Sequence, residues 1–463
     1  MPKSFDSRII LPLFLTICIL ILIIFLVFPK TEQAVQNTSI SSQDISEFKN
    51  IQVVQNNPKP IIPSKLNFSS TIPIIVIHKL ENKTYNDSKR LWSQADFYYL
   101  KNETSSLEDT PDLSTLAGIK LRGNTALSWP KKSYNIEAWD AEGEDKNIEP
   151  FGMPKESDWV LVATYDYDKS HIRHALAYAL AGDIGLLAMR TKLVEVFVSN
   201  DSELSPEDYM GVYTFAEKIK RDKNRVDIEK MQKNATTYPD IGGGWLVKLD
   251  HIEPGEEYFN ISWGCYDGHI LFEYPKQEDL NQEQKDWIES FFKKMLLALK
   301  FDKDYLSDFV DMESFAKHYL LNELARNADI MWASTYMYIP ESQGTLHFGP
   351  EWDFDRAFNA PPVSTEGWGA EHFGTFDELF KDDNRELASG LWKNLRQDSF
   401  SESNINATIT NLTKGLPEPA ARDYLRWYPG VNMSFDEQIS NITTWLEGRL
   451  LWMDMKIIGN KSA

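Results

Sequence analysis

The sequence predicts an α+β protein with a strand-rich first lobe and a helix-rich second lobe, carried behind one apolar membrane helix. Three observations predict it. An uncharged apolar run occupies Ile9–Phe28, short β-branched runs recur from about Ile72 to Phe215, and apolar residues fall at helical spacing from Trp287 onward. At 463 residues, with 42% hydrophobic and 13% aromatic content, the chain is long enough for two or three lobes with real cores. Only two cysteines occur, Cys18 and Cys265, so a disulfide framework is excluded. The formal net charge of −21 repels polyanions and argues against nucleic acid as a partner.

The run Ile9–Phe28 has about the 20 residues that cross a bilayer core of roughly 30 Å. It is longer than a signal-peptide core, and Pro29-Lys30-Thr31-Glu32 lacks the small residues of a cleavage site. The expectation is an uncleaved signal-anchor helix at 9–28, behind a short cytoplasmic tail at 1–8. Lys3 and Arg8 precede the span, which leaves the C-terminal bulk extracellular or luminal. Glycan acceptors of the form Asn-x-Ser/Thr point the same way: Asn37, Asn67, Asn82, Asn86, Asn102, Asn200, Asn234, Asn260, Asn406, Asn411, Asn432, Asn441 and Asn460. None begins between 261 and 403, where a bulky sugar would obstruct a site or core.

Residues 29–70, rich in Ser, Asn, Gln and Pro, read as a flexible stalk before a domain at 71–463. Ile74–His78, Ile119–Arg122, Tyr134–Trp139, Trp159–Tyr165, Leu193–Val198 and Gly211–Phe215 read as strands, and His171–Ile184 as a helix with Ile172, Ala175, Leu176, Ala179 and Leu180 on one face. Beyond a lobe boundary near 250–280, Trp287, Ile288, Phe291, Phe292, Met295 and Leu299 mark one helix, and Phe315, Tyr319, Leu320 and Leu324 another. Thr335–Ile339 and Thr345–Phe348 form a hairpin around Pro340–Gly344.

That hairpin carries the chemistry. It returns the chain so that Asp329, closing a helix, comes near Asp353, and Asp355 points to the same side as Asp353 if the stretch is extended. Clustered carboxylates repel, and a hard cation such as Mg²⁺ relieves the repulsion. The alternative is a solvated acidic turn, against which Trp352, Phe354 and Phe358 argue because such side chains seek cover. Positive charge is concentrated at Lys218, Lys220, Arg221, Lys223 and Arg225. Lys218, just past a strand, is placed to meet phosphate oxygens; Lys223 and Arg225 read as a solvated turn. Arg122, Lys131 and Lys132 form a second basic set, or no more than a strand entry. Gly242-Gly243-Gly244 either cradles phosphates or opens a hairpin entering a strand at Trp245–Leu249. The histidines show no zinc spacing, and no Gly-x-Ser-x-Gly elbow occurs.

Five stretches in order resemble the CotH family of spore-coat and secreted kinase-like proteins. They are Leu121–Asn124 with Trp129–Tyr134, Tyr165–Arg173, Gly211–Tyr213 with Glu217–Arg221, Gly242–Trp245, and Gly349–Asp355. The resemblance implies an atypical protein-kinase-like two-lobe fold and ATP- and Mg²⁺- (or Mn²⁺-) dependent phosphoryl transfer to Ser/Thr hydroxyls of secreted or surface proteins. Asp329 would be the catalytic-loop aspartate, Asp353 the metal-holding one, and Asp355 a second ligand. Ser334 sits where kinases place a metal-binding Asn, a departure that leaves a hydroxyl oxygen for the metal. Lys218, Arg122 and Lys132 would bind the nucleotide. Two other readings stay open: a catalytically silent binding or assembly protein of the cell surface, and a metal-dependent hydrolase, which would want a water-activating histidine set.

Overall fold

The computed structural model describes residues 57–62, 64–263, 266–301, 303–329, 333–369 and 383–459. The expected anchor Ile9–Phe28 and the acceptors Asn37 and Asn460 lie outside the described residues. Among the described residues, no helix is long and apolar enough to cross a membrane.

In chain order the elements are β1 (Ser69–Ser70), β2 (Ile74–Lys79), β3 (Leu91–Tyr98), β4 (Ser105–Ser106), β5 (Leu113–Arg122), β6 (Ser133–Trp139), β7 (Asp158–Ala163), α1 (Arg173–Asp183), β8 (Thr191–Ser199) and β9 (Tyr209–Glu217). There follow β10 (Trp245–Leu249), β11 (Tyr258–Trp263), β12 (Tyr266–Tyr274), α2 (Gln282–Phe301), α3 (Met312–Ala325), β13 (Thr335–Ile339), β14 (His347–Phe348), α4 (Asp383–Gln397), α5 (Glu402–Thr413), α6 (Pro417–Trp427) and α7 (Phe435–Ile457). The protein is α+β.

The first seven long strands close into a barrel in the order β2-β3-β5-β6-β7-β9-β8. All neighbours are antiparallel except β2 and β8, which run parallel and complete the closure. Closure removes sheet edges, and the inward side chains fill the interior. Ile75, Ile77, Phe97, Ile136, Leu161 and Val196 are fully buried there, and Trp159 stacks on Phe215 at 5.2 Å between ring centres.

The second sheet, ordered β11-β12-β10-β13-β14, draws its strands from 245–274 and 335–348 in the chain. It therefore runs across the lobe boundary expected near 250–280, and the second half is less purely helical than the sequence suggests. Period-2 alternation sets its two faces. Trp245, Val247 and Leu249 of β10 pack on Ile288, Phe292 and Met295 of α2, which leaves Lys248 on the opposite face. The remaining helices build a third core around Leu176, Leu320, Leu324, Phe354, Phe358 and Trp392.

The described end of the stretch expected as a stalk is held to the domain. Gln94 holds the backbone of Ile61 by two hydrogen bonds (2.8 and 3.1 Å), Ser64 N–H donates to Ser202 O at 2.9 Å, and Phe68 packs edge-on to Phe197 at 5.0 Å. Apolar side chains at Leu66 and Phe68 cover the barrel's outer surface, so this stretch lies on the domain.

Candidate functional site

Helix α3 is started by Asp311, whose side chain accepts from the Ser314 N–H at 2.7 Å, and is ended by Arg326 in a left-handed conformation (φ 48°). The chain then reaches Asp329. The β13–β14 hairpin brings the following segment back, and its return is fixed at three points. Gly349 N–H donates to Tyr336 O (2.9 Å), Ala328 N–H to Arg356 O (3.3 Å) and Phe358 N–H to Ala325 O (2.7 Å). These bonds lay 349–358 beside the end of α3.

Helix α1 holds the same segment from the other side. Asp353 N–H donates to the Tyr178 hydroxyl (3.3 Å), Phe354 N–H to His174 Nδ1 (3.1 Å), and Arg173 Nε to Ala357 O (3.0 Å). Arg173 is itself held by Asp168 at 3.1 Å. Accepting at Nδ1 requires a neutral imidazole with its proton on Nε2. Burial, opposed by Asp353 and Asp168, lowers the His174 pKa and keeps it so. Asp353 has a left-handed backbone (φ 61°), strained for a residue with a Cβ.

These loops, the barrel strands β5–β7 and the inner face of the second sheet enclose a cavity of about 710 Å³. Asp329, Asp353, Asp355, Ser334, Lys218 and Arg122 all line it. Ser334 Oγ donates to Asp353 Oδ2 at 3.3 Å, and Arg356 Nη1 meets Asp329 Oδ1 at 3.1 Å. Burial, then repulsion from Asp353 and Asp329, pushes the Asp355 carboxyl well above the usual range. Asp329 is raised by burial and by Asp353, with Arg356 opposing. The negative charge is under-compensated.

Other basic candidates sort differently. Arg122 lies 5.2 Å over the Trp352 ring, and Lys218 approaches Asp158 at 3.1 Å with its side chain 35% exposed. Lys132 does not line the cavity; its ammonium donates to Leu127 O at 2.6 Å, closing the local turn. Lys131 is fully buried against Asp423. Arg225 is no solvated turn residue: it is buried, 2.7 Å from Glu217 and 4.7 Å from the Trp159 ring centre, because the loop after β9 folds back on the barrel. Lys223 is exposed. The glycine triplet lies away from the cavity. A Cβ on Gly243 would come within 2.0 Å of the Glu341 backbone, so Gly243 is needed for contact with the hairpin turn.

Two residues that sequence reasoning missed complete the basic wall. Lys248 and Glu273 line the cavity with their charged atoms 3.4 Å apart. Burial opposes the charge on Lys248, yet Tyr336, Glu273 and Asp250 overcome it and raise its pKa. Burial would raise the Glu273 carboxyl, but Lys276, Lys248 and Lys218 outweigh it and hold it low. The signal for Lys248 was a lone charge in the otherwise apolar strand Trp245–Leu249.

The family model described as CotH kinase protein matches residues 119–453. The chain belongs to the CotH family. Among solved structures, the crystal structure of a Helicobacter pylori proinflammatory kinase CtkA is similar at 7% sequence identity and a TM-score of 0.28, covering 70% of this chain and 94% of that one. A likeness of that size fixes neither fold nor chemistry. No curated protein matches. In this CotH protein the matched segment contains Asp329, Asp353, Asp355, Lys218 and Lys248.

Proposed function

We infer that the chain is an ATP- and Mg²⁺- or Mn²⁺-dependent protein kinase of two-lobe, kinase-like design, acting on Ser/Thr hydroxyls of extracellular or luminal proteins and held at the membrane by Ile9–Phe28. The observation that carries the reading is the meeting of Asp329, Asp353 and Asp355 with Lys218, Lys248 and Arg122 in one cavity. Phosphoryl transfer needs charge neutralisation and alignment more than covalent help, and this wall offers both signs of charge.

The donor set suits a metal held jointly with a substrate. Among the described residues, no three His, Cys, Asp or Glu side chains form a metal cage. Mg²⁺ needs none, since it is commonly bound by one or two carboxylates together with phosphate oxygens and water. Asp353 and Asp355 would hold it, with Ser334 as a third oxygen. Such a cation supplies charge neutralisation at the phosphates. The raised pKa of Asp355 fits a carboxylate placed for a positive charge.

Asp329 then orients the substrate hydroxyl and accepts its proton as the oxygen attacks. Arg356 aims that carboxylate and opposes the upward push on its pKa. Lys248, set by Glu273, and Lys218 would meet phosphate oxygens as point charges. The arrangement also admits a silent nucleotide-binding protein, because Arg356 already occupies Asp329. Incubating the purified protein with γ-labelled ATP and Mg²⁺ or Mn²⁺ decides between them. Label on protein is expected; nucleotide binding without label would establish the silent reading, and phosphate release alone a hydrolase.

A further inference from the structure

Thirteen Asn-x-Ser/Thr acceptors occur in the sequence, and eleven remain after Asn37 and Asn460 are set aside as outside the described residues. Every one of the eleven is exposed. The other described asparagines divide: Asn124, Asn147, Asn224, Asn394 and Asn404 are exposed, and six are not. Asn322 and Asn327 are buried, and Asn57, Asn135, Asn281 and Asn359 are half-buried. Were the acceptor triplets accidents of an Asn- and Ser-rich composition, their asparagines would divide between surface and interior as the others do.

The amide nitrogens differ too, since about half of the non-acceptors use theirs. Asn57, Asn224, Asn281, Asn322, Asn327 and Asn404 each donate from Nδ2 to the protein, as Asn57 does to Ala141 O at 2.9 Å and Asn281 to Ala235 O at 2.8 Å. None of the eleven acceptors uses Nδ2 in a hydrogen bond to another described residue. Asn86 and Asn260 are engaged through Oδ1 alone, Asn86 accepting from Ser88 N–H at 3.1 Å and Asn260 facing His269 Nδ1 at 2.9 Å. At these two positions the oxygen is used and the nitrogen that would carry a sugar is not. None of the eleven lines the cavity, whereas the non-acceptors Asn124 and Asn135 do.

We propose that this domain is N-glycosylated at its exposed acceptors while the cavity walls stay bare. The donor is of the polyprenyl-diphosphate-linked oligosaccharide class. In each transfer a bond forms between Asn Nδ2 and the anomeric carbon of the first sugar, that carbon's bond to phosphate oxygen breaks, the polyprenyl diphosphate leaves, and Nδ2 loses one proton. The inference is independent of whether the cavity transfers phosphate.

The test is to express the full chain, with its own N-terminal segment, in a eukaryotic cell that N-glycosylates. The isolated protein is released with peptide N-glycosidase in H₂¹⁸O, and each acceptor is mapped by mass spectrometry. Conversion to ¹⁸O-labelled Asp at a majority of the eleven is expected, with a matching rise in gel mobility. Ser88→Ala should erase the label at Asn86 and at no other position. Unmodified asparagine at most of the eleven overturns the proposal, whether the chain is recovered with membranes or in the cytosol.

Discussion

Two clusters of buried charge lie on opposite sides of the domain's function. In the tie between barrel and α6, Lys131 sends its three donor hydrogens to the Asp423 carboxylate, Val212 O at 2.7 Å and Thr164 O at 3.0 Å. Val212 N–H donates to the same carboxylate at 2.8 Å. The two opposite charges are paired within the protein through Asp423 Oδ2, while Oδ1 accepts no hydrogen bond, and both groups are sealed from solvent. In the cavity, Asp329, Asp353 and Asp355 face Arg356, which pairs with Asp329 alone among the three. The first cluster pairs its charges internally; the second keeps a surplus of carboxylate. Buried charge that closes on itself holds a fold together, and buried charge left in surplus beside a cavity marks where a ligand completes it.

The largest expected effect breaks the second cluster. Asp353→Asn should abolish transfer and weaken metal-dependent nucleotide binding, since a charge that offsets the cation is lost. Asp329→Asn should keep nucleotide affinity and lower the transfer rate by about 10²–10⁴-fold. Titrating nucleotide binding and measuring single-turnover transfer for both variants separates them. Undiminished transfer in Asp353→Asn would leave no distinction between the two clusters.

Next comes the structural tie. Lys131→Met should leave Asp423 charged and unpaired in the interior and cost about 3–5 kcal/mol in urea unfolding. Adding Asp423→Asn should restore part of that loss. A mild effect of Lys131→Met alone would mean the pair contributes little to the fold.

The smallest effect carries the opposite sign. Asp355→Asn should stabilise the metal-free protein, raising its melting temperature by about 1 °C for each kcal/mol of repulsion relieved. Because the folded protein raises the Asp355 pKa, the native state binds more protons than the unfolded chain above the ordinary carboxylate range, near pH 4. Wild-type stability from this group therefore falls as pH rises through that window. The variant's advantage should be absent near pH 4 and grow towards pH 7, as differential scanning across pH would record. Saturating Mg²⁺ and ATP should shrink it.

Much of this was legible in the sequence because it was local. Runs of β-branched residues located six of the seven barrel strands and missed β3, Trp245–Leu249 coincides with β10, and the turn at Pro340–Gly344 delivered Asp329 and Asp353 to one cavity. The rest depends on contacts distant in the chain. Glu273 meets Lys248 only once β12 pairs with β10, and Lys131 finds Asp423 across 292 residues. Arg225 looked solvated because its partners, Glu217 and the Trp159 ring, are chosen by the fold-back of a loop. The glycine triplet suggested a phosphate cradle, since close contact with another backbone leaves the same trace in a sequence as close contact with a ligand.

One consequence concerns how the aspartate loop holds its shape. The amides of Asp353 and Phe354 donate to the side chains of Tyr178 and His174, with no backbone carbonyl taking either. The loop's rigidity is thus on loan from a helix, and two amide protons can report on it. Their exchange with deuterium is tied to the ring positions on α1, so slow exchange at 353 and 354 would register an aligned site before any ligand is added.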